Sequence, residues 1–92
     1  MNTAIDFSIL KESGLRKKDE LEHIFCTTRA MIHRSMDGDS FPRGKNRQRA
    51  ALACKAISNL IEKGSLPFPE GKTKEERQVA VDRIAAWVSS KL

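Results

Sequence analysis

Tyrosine is absent from this 92-residue chain, and aromatic residues make up only 5% of it. A protein that stacks unpaired bases needs aromatic faces, so RNA is a poor fit as partner. No apolar run approaches the roughly 18 residues of a membrane span. The N-terminal stretch lacks the basic start and apolar middle of a signal peptide. The only cysteines, Cys26 and Cys54, form no paired CxxC. That excludes a disulfide scaffold and fits a reducing compartment, so a cytoplasmic location is expected. His23 and Cys26 stand at i, i+3 and could share a ligand, but no complete zinc set accompanies them. There is no phosphate-cradling Gly-rich loop, and neither histidine has a carboxylate orienter together with a nucleophile. Glu75 and Glu76 read as helix-start charges. A non-enzyme without metal or cofactor is expected.

What the chain does have is charge. Charged residues are 32% of the total, hydrophobic ones 39%, and the net charge is +5. This length gives one domain with a modest core and a large wetted surface. A basic balance favours an anionic partner, nucleic acid first and a membrane surface second. The mixed-sign flanks of the last helix count against the membrane. Between Ser40 and Ile61 stand Arg43, Lys45, Arg47, Arg49 and Lys55, with no acidic residue among them.

Period-two alternation is missing, so the chain reads as helices. Asp6 can cap a first short helix carrying Ile9 and Leu10; Gly14 ends it, and Leu15 folds back on it. A second helix starts near Arg16 or Lys17 with no clear cap. Three bases in a row oppose the helix dipole there, and Asp19 and Glu20 partly offset them. DSFPRGKNRQR is a loop broken by Pro42 and Gly44. A fourth helix is expected from about Asn46 to Lys63, with an inner stripe of Ala53, Ile57, Leu60 and Ile61 and with Ala50, Ala56 and Leu52 beside it. Gly64 closes it. Thr73 and Glu76 form a capping box that opens a fifth helix. Its apolar face would be Ala80, Val81, Ile84, Trp87 and Val88.

The stretch from Leu21 to Gly38 organises the rest. Leu21, Ile24 and Phe25 share one helical face; Cys26, Thr27 and Thr28 interrupt it. Thr28 is the expected N-cap of a third helix over 29–37, with Ile32 and Met36 inward and Gly38 as its stop. Leu21, Phe25, Thr28, Ile32, Gly38 and Pro42 stand where the pattern of the lambda-repressor-like (Cro-type, XRE-class) helix-turn-helix family wants them. The stretch resembles that family. Four positions depart from it: Glu22 replaces a small Ala, Cys26 a Gly, Thr27 a Val and Ser35 a Trp.

The resemblance implies a compact all-α, five-helix lambda-repressor-like domain with a helix-turn-helix at helices 2 and 3. Residues 1–64 would form the DNA-binding core; residues 65–92 would add a linker and a helix that packs on it or dimerises. The third helix would enter the major groove. Arg29, Ala30, His33 and Arg34 would then face bases, the two arginines as bidentate guanine readers. Phosphate contacts would come from Arg16, Lys17, Lys18 and Thr28, and from Arg43, Lys45, Asn46 and Arg47 on the loop and next helix start. Ile84, Trp87 and Val88 would make a homodimer interface, with Trp87 as a purely intramolecular core residue the alternative. The expected function is a phage- or plasmid-repressor-like regulator occupying double-stranded operator DNA as a homodimer. The alternative is a protein-interaction module, such as an antitoxin or phage-encoded inhibitor, on the same scaffold. Glu22 and Ser35 favour that alternative; the basic groups favour DNA.

Overall fold

Ser13 and Gly14 decide how the chain leaves its first helix. In the computed structural model, which describes residues 7–36 and 45–92, α1 is a single turn, Ile9–Glu12. The buried Ser13 hydroxyl donates to the Leu10 carbonyl at 2.6 Å and accepts from the Leu15 N–H at 3.2 Å. Gly14 follows at φ +68°, where a Cβ would come within 2.9 Å of the Pro67 Cβ. Only glycine satisfies both demands without strain. Leu15 is buried, as its place after the glycine predicts. Asp6, the expected cap of α1, lies outside the described residues.

A π turn, Lys17–Leu21, leads into α2 (Glu22–Phe25). The widened turn carries the Leu21 N–H to the Arg16 carbonyl at 2.9 Å. The cap that the three bases lack is Glu20. Its carboxylate reaches back to the Arg16 N–H at 2.7 Å. It is also held by the Arg77 guanidinium from the far end of the chain, at 2.6 and 2.9 Å. Glu20 is only 4% exposed. Arg77 donates as well to the Gly14 carbonyl at 3.3 Å and lies over the Phe68 ring.

Three longer helices complete the chain: α3 (Arg29–Met36), α4 (Lys45–Glu62) and α5 (Lys74–Lys91). The structure is thus all-helical among the described residues, with five α-helices and no strand. A Schellman stop closes α4, with the Ser65 N–H on the Leu60 carbonyl at 2.9 Å and Gly64 at φ +79°. The Thr73–Glu76 capping box opens α5 as expected. The radius of gyration, 12.5 Å, meets the value of about 12 Å for one compact domain of this length.

Two stripes differ from the expected ones. In α4 the buried set is Ala50, Ala53, Cys54 and Ile57, while Leu60 and Ile61 are half-buried. In α5 it is Val81, Ile84, Ala85 and Val88; Ala80 is half-buried and Trp87 is exposed. Both sets keep i, i+3, i+4, i+7 spacing, so only the helix rotation differs. Small alanines on α4 let α5 and α2 approach it, and the larger Leu60 and Trp87 stay at the margin. Arg49, one of the clustered bases, bridges three helices. It donates from Nε to the Ile24 carbonyl at 2.9 Å and from Nη1 to the Ser89 hydroxyl at 3.0 Å. The core centres on Leu21, Ile24, Phe25, Ile32, Ile57 and Val88. Each large side chain there contributes about 2 kcal/mol by leaving water.

Burial alone would raise the Glu20 pKa, but hydrogen bonds from Arg77 and the Arg16 N–H outweigh it and hold the carboxyl below the usual range. A depressed folded pKa gives stability that is complete above the unfolded value near 4.5 and is lost as pH falls through the folded one. Glu20→Gln is therefore expected to lower stability at neutral pH by about 3 kcal/mol. It should also flatten the loss of stability between about pH 6 and about pH 3. Urea unfolding of both proteins at the two pH values checks this; parallel losses would mean that Glu20 is not the titrating group.

Candidate nucleic-acid interface

The turn between α2 and α3 is built by residues that depart from the expected pattern. Cys26 ends α2 in the left-handed conformation, φ 54° and ψ 47°. Its successor, Thr27, sends its N–H back to the Glu22 carbonyl at 3.2 Å. This is a Schellman-type stop with cysteine where glycine is usual. Thr28 then caps α3 as expected, accepting the Met31 N–H at 3.2 Å. Glu22 crosses the turn and takes the Arg29 N–H at 2.7 Å. It thereby satisfies a second orphan donor and places an anion at the positive end of α3. A small residue at that position would leave both tasks undone.

The two faces of α3 are separated cleanly. Ile32 and Ser35 are buried, and Met31 and Met36 are half-buried. Ser35 stands where the pattern expects Trp; its hydroxyl donates to the Met31 carbonyl at 2.9 Å, so the small side chain is buried without an unmet polar atom. Arg29, Ala30, His33 and Arg34 are all exposed. Residues 21–36 thus form helix, turn and helix, with the four expected base-facing side chains on the outer surface. Asp37 and Gly38, the expected end of this helix, lie outside the described residues.

Lys17 and Lys18, at the π turn, join this surface. Together with Glu22, Thr28, Arg29, Ala30 and His33 they line one open depression. The Lys17 ammonium donates to His33 Nδ1 at 2.9 Å, directly linking the start of the π turn to the outer face of α3. Arg16 is exposed beside them, at the N-cap of the π turn. Arg47 is half-buried in the first turn of α4. Lys45 and Asn46 open α4, but their side chains lie outside what is described, as do Arg43, Pro42 and Gly44. Of the two basic groups expected to flank α3, the structure brings Lys17 and Lys18 of the first together with it.

The expected dimer interface does not stand as drawn. Ile84 and Val88 are enclosed by the chain's own core, 6% and 0% exposed, because α5 turns them onto α2 and α4. Only Trp87 of the three, at 37%, is available at the surface. Among the described residues no three His, Cys, Asp or Glu side chains gather as a metal site. His23 pairs instead with Asp82 of α5 at 3.1 Å, and Cys54 is in the core. No described helix is long and apolar enough to cross a membrane.

Sequence reasoning missed Glu22 as a cap of α3 and Glu20 as the anchor of the first helix. The signal for Glu20 was the carboxylate four residues after Arg16, half of a capping box without its hydroxyl partner. Nothing local marked Glu22, which acts across the turn. No protein-family model matches the chain, and comparison with curated proteins and with solved structures gave no match.

The turn geometry makes a definite prediction. The left-handed conformation costs a non-glycine residue about 1–2 kcal/mol. Glycine would remove that cost but give up about 0.4–1 kcal/mol of the gain, because it raises the entropy of the unfolded chain. Cys26→Gly is therefore expected to stabilise the protein by roughly 0.5–1 kcal/mol, whereas Glu22→Ala should destabilise it by about 1 kcal/mol through loss of a cap. Thermal unfolding measures both. A destabilised Cys26→Gly protein would contradict the left-handed assignment.

Proposed function

We propose that the chain is a sequence-specific double-stranded DNA-binding regulator of the lambda-repressor-like helix-turn-helix kind. The observation that supports this most is the exposed side of α3. Two arginines, a histidine and an alanine face outward from a helix whose other side is fixed in the core, and Arg29, Ala30 and His33 share one depression with Lys17 and Lys18. A helix carried this way can lie in a major groove while basic residues at the start of the preceding helix hold the sugar–phosphate backbone. Arg29 and Arg34 match the paired acceptors of guanine. Ala30 leaves room for a thymine methyl, and Thr28 and His33 reach base edges or phosphate. Lys17, already directed towards His33, would register the phosphate contact against the base contacts. Arg16, Lys18, Arg43, Lys45, Asn46 and Arg47 would add phosphate contacts on either side.

Occupying an operator as a homodimer fits the same reading, since one module of this size buries too little surface for tight specific binding. The dimer contact would use Trp87 and exclude Ile84 and Val88. No catalytic step and no cofactor belong to this function.

Duplexes selected from a random pool, titrated with salt, test the proposal. Several phosphate contacts predict affinity that falls steeply and linearly in log–log form. Arg29→Ala should relax discrimination at one base pair, at a cost of about 1–3 kcal/mol there. Lys17→Ala should weaken all duplexes alike and make the salt slope shallower by about one. No duplex binding at low salt would refute the function; equal, sequence-blind losses from both variants would remove Arg29 as a reader.

A further inference from the structure

A second surface, on the α4–α5 side, is built differently from the α3 face. Two adjoining depressions between these helices share Leu60, Arg83 and Ile84 and run as one trough. Val79 lines one of them and Trp87 the other. These two positions are two turns of α5 apart, about 12 Å. Val79 is 53% exposed, and both residues are among the large hydrophobic side chains that the fold leaves at the surface. Leu60, half-buried, continues the apolar floor between them. The rim is mostly basic. Lys63, Lys72 and Arg83 line the trough, and the Lys91 ammonium sits 5.8 Å from the centre of the Trp87 ring. Neither Lys63 nor Arg83 is paired with a carboxylate among the described residues. Glu76 is the one acidic side chain lining it, and its carboxylate is engaged with the Thr73 N–H in the capping box.

We infer that this trough docks an amphipathic helix of another protein, one with an apolar face flanked by Asp and Glu. The apolar floor supplies the burial and the basic rim the complement, which is how helices bind grooves. A nucleic-acid backbone would match the rim but leave the floor uncovered. A second copy meeting this one at Trp87 would bring the same basic rim against itself, which makes it the weaker occupant of the trough. Trp87 is shared with the self-association contact, so docked partner and dimer exclude one another. The surface is distinct from α3, and the inference holds whether or not the chain binds DNA.

Trp87 is the only tryptophan in the chain and reports on its own surroundings. The full chain, without DNA, is titrated with a synthetic amphipathic peptide bearing Leu at helical spacing and Glu on its flanks, and with a counterpart bearing Lys on its flanks. The Glu peptide is expected to give a saturable blue shift of the Trp87 emission, and to bind at least about tenfold more tightly than the Lys peptide. The double variant Lys63→Glu, Arg83→Glu, altered only at exposed positions, should reverse that preference while keeping its helical circular dichroism. Equal affinity for both peptides, or no shift with the Glu peptide, overturns the inference. So does a dimer of doubled mass that excess Glu peptide fails to dissociate, which assigns the trough to a second copy.

Discussion

The bidentate pair between Glu20 and Arg77 joins positions 57 residues apart and fixes three pieces of the chain at once. Glu20 closes the start of the π turn through the Arg16 N–H, and Arg77 secures the α1 exit through the Gly14 carbonyl. A buried carboxylate is tolerable only when its oxygens are filled, and here they take one backbone and two guanidinium donors. Because α5 delivers the arginine, the C-terminal helix is a condition for the placement of helix 2. Helix 2 in turn carries Lys17 and the turn that aims α3.

The turn itself shows how departures from a sequence pattern compensate one another. A cysteine in place of glycine brings strain into the stop of α2. A glutamate in place of alanine supplies an additional cap to α3. A serine in place of a large aromatic satisfies itself within its own helix. The helices therefore meet with less bulk between them at Ser35 and more polar bonding across the turn at Glu22. The outer side of α3 carries four exposed side chains beside this turn.

Basic residues divide by what surrounds them. Lys17, Lys18 and Arg29 share an open depression with Glu22, Thr28 and His33, whereas Lys63 and Arg83 border one lined by Leu60, Ile84 and Trp87. Arg49 and Arg77 belong to neither surface, because their guanidinium groups bond to carbonyl, hydroxyl and carboxylate partners between helices. A net charge of +5 is thus the sum of groups with three different tasks. Counting bases along the chain overstates the charge available to any one partner.

By itself the sequence determined the helical class, the break at Cys26–Thr28, the Thr28 and Thr73 caps and which side chains of α3 face out, because these follow from local spacing and capping chemistry. It did not determine the rotation of α4 and α5: Leu60 and Trp87 are as apolar as Ile57 and Val88, and only packing of these helices on each other and on α1 and α2 chose between them. The interface role of Ile84 and Val88 failed for that reason. The tertiary structure alone decided the long-range partners of Glu20, Arg49 and Arg77, since those bonds span 25 or more residues and leave no periodic trace. Local patterns record short-range bonds; which of several equally apolar or equally basic side chains turns inward is settled only when the helices meet.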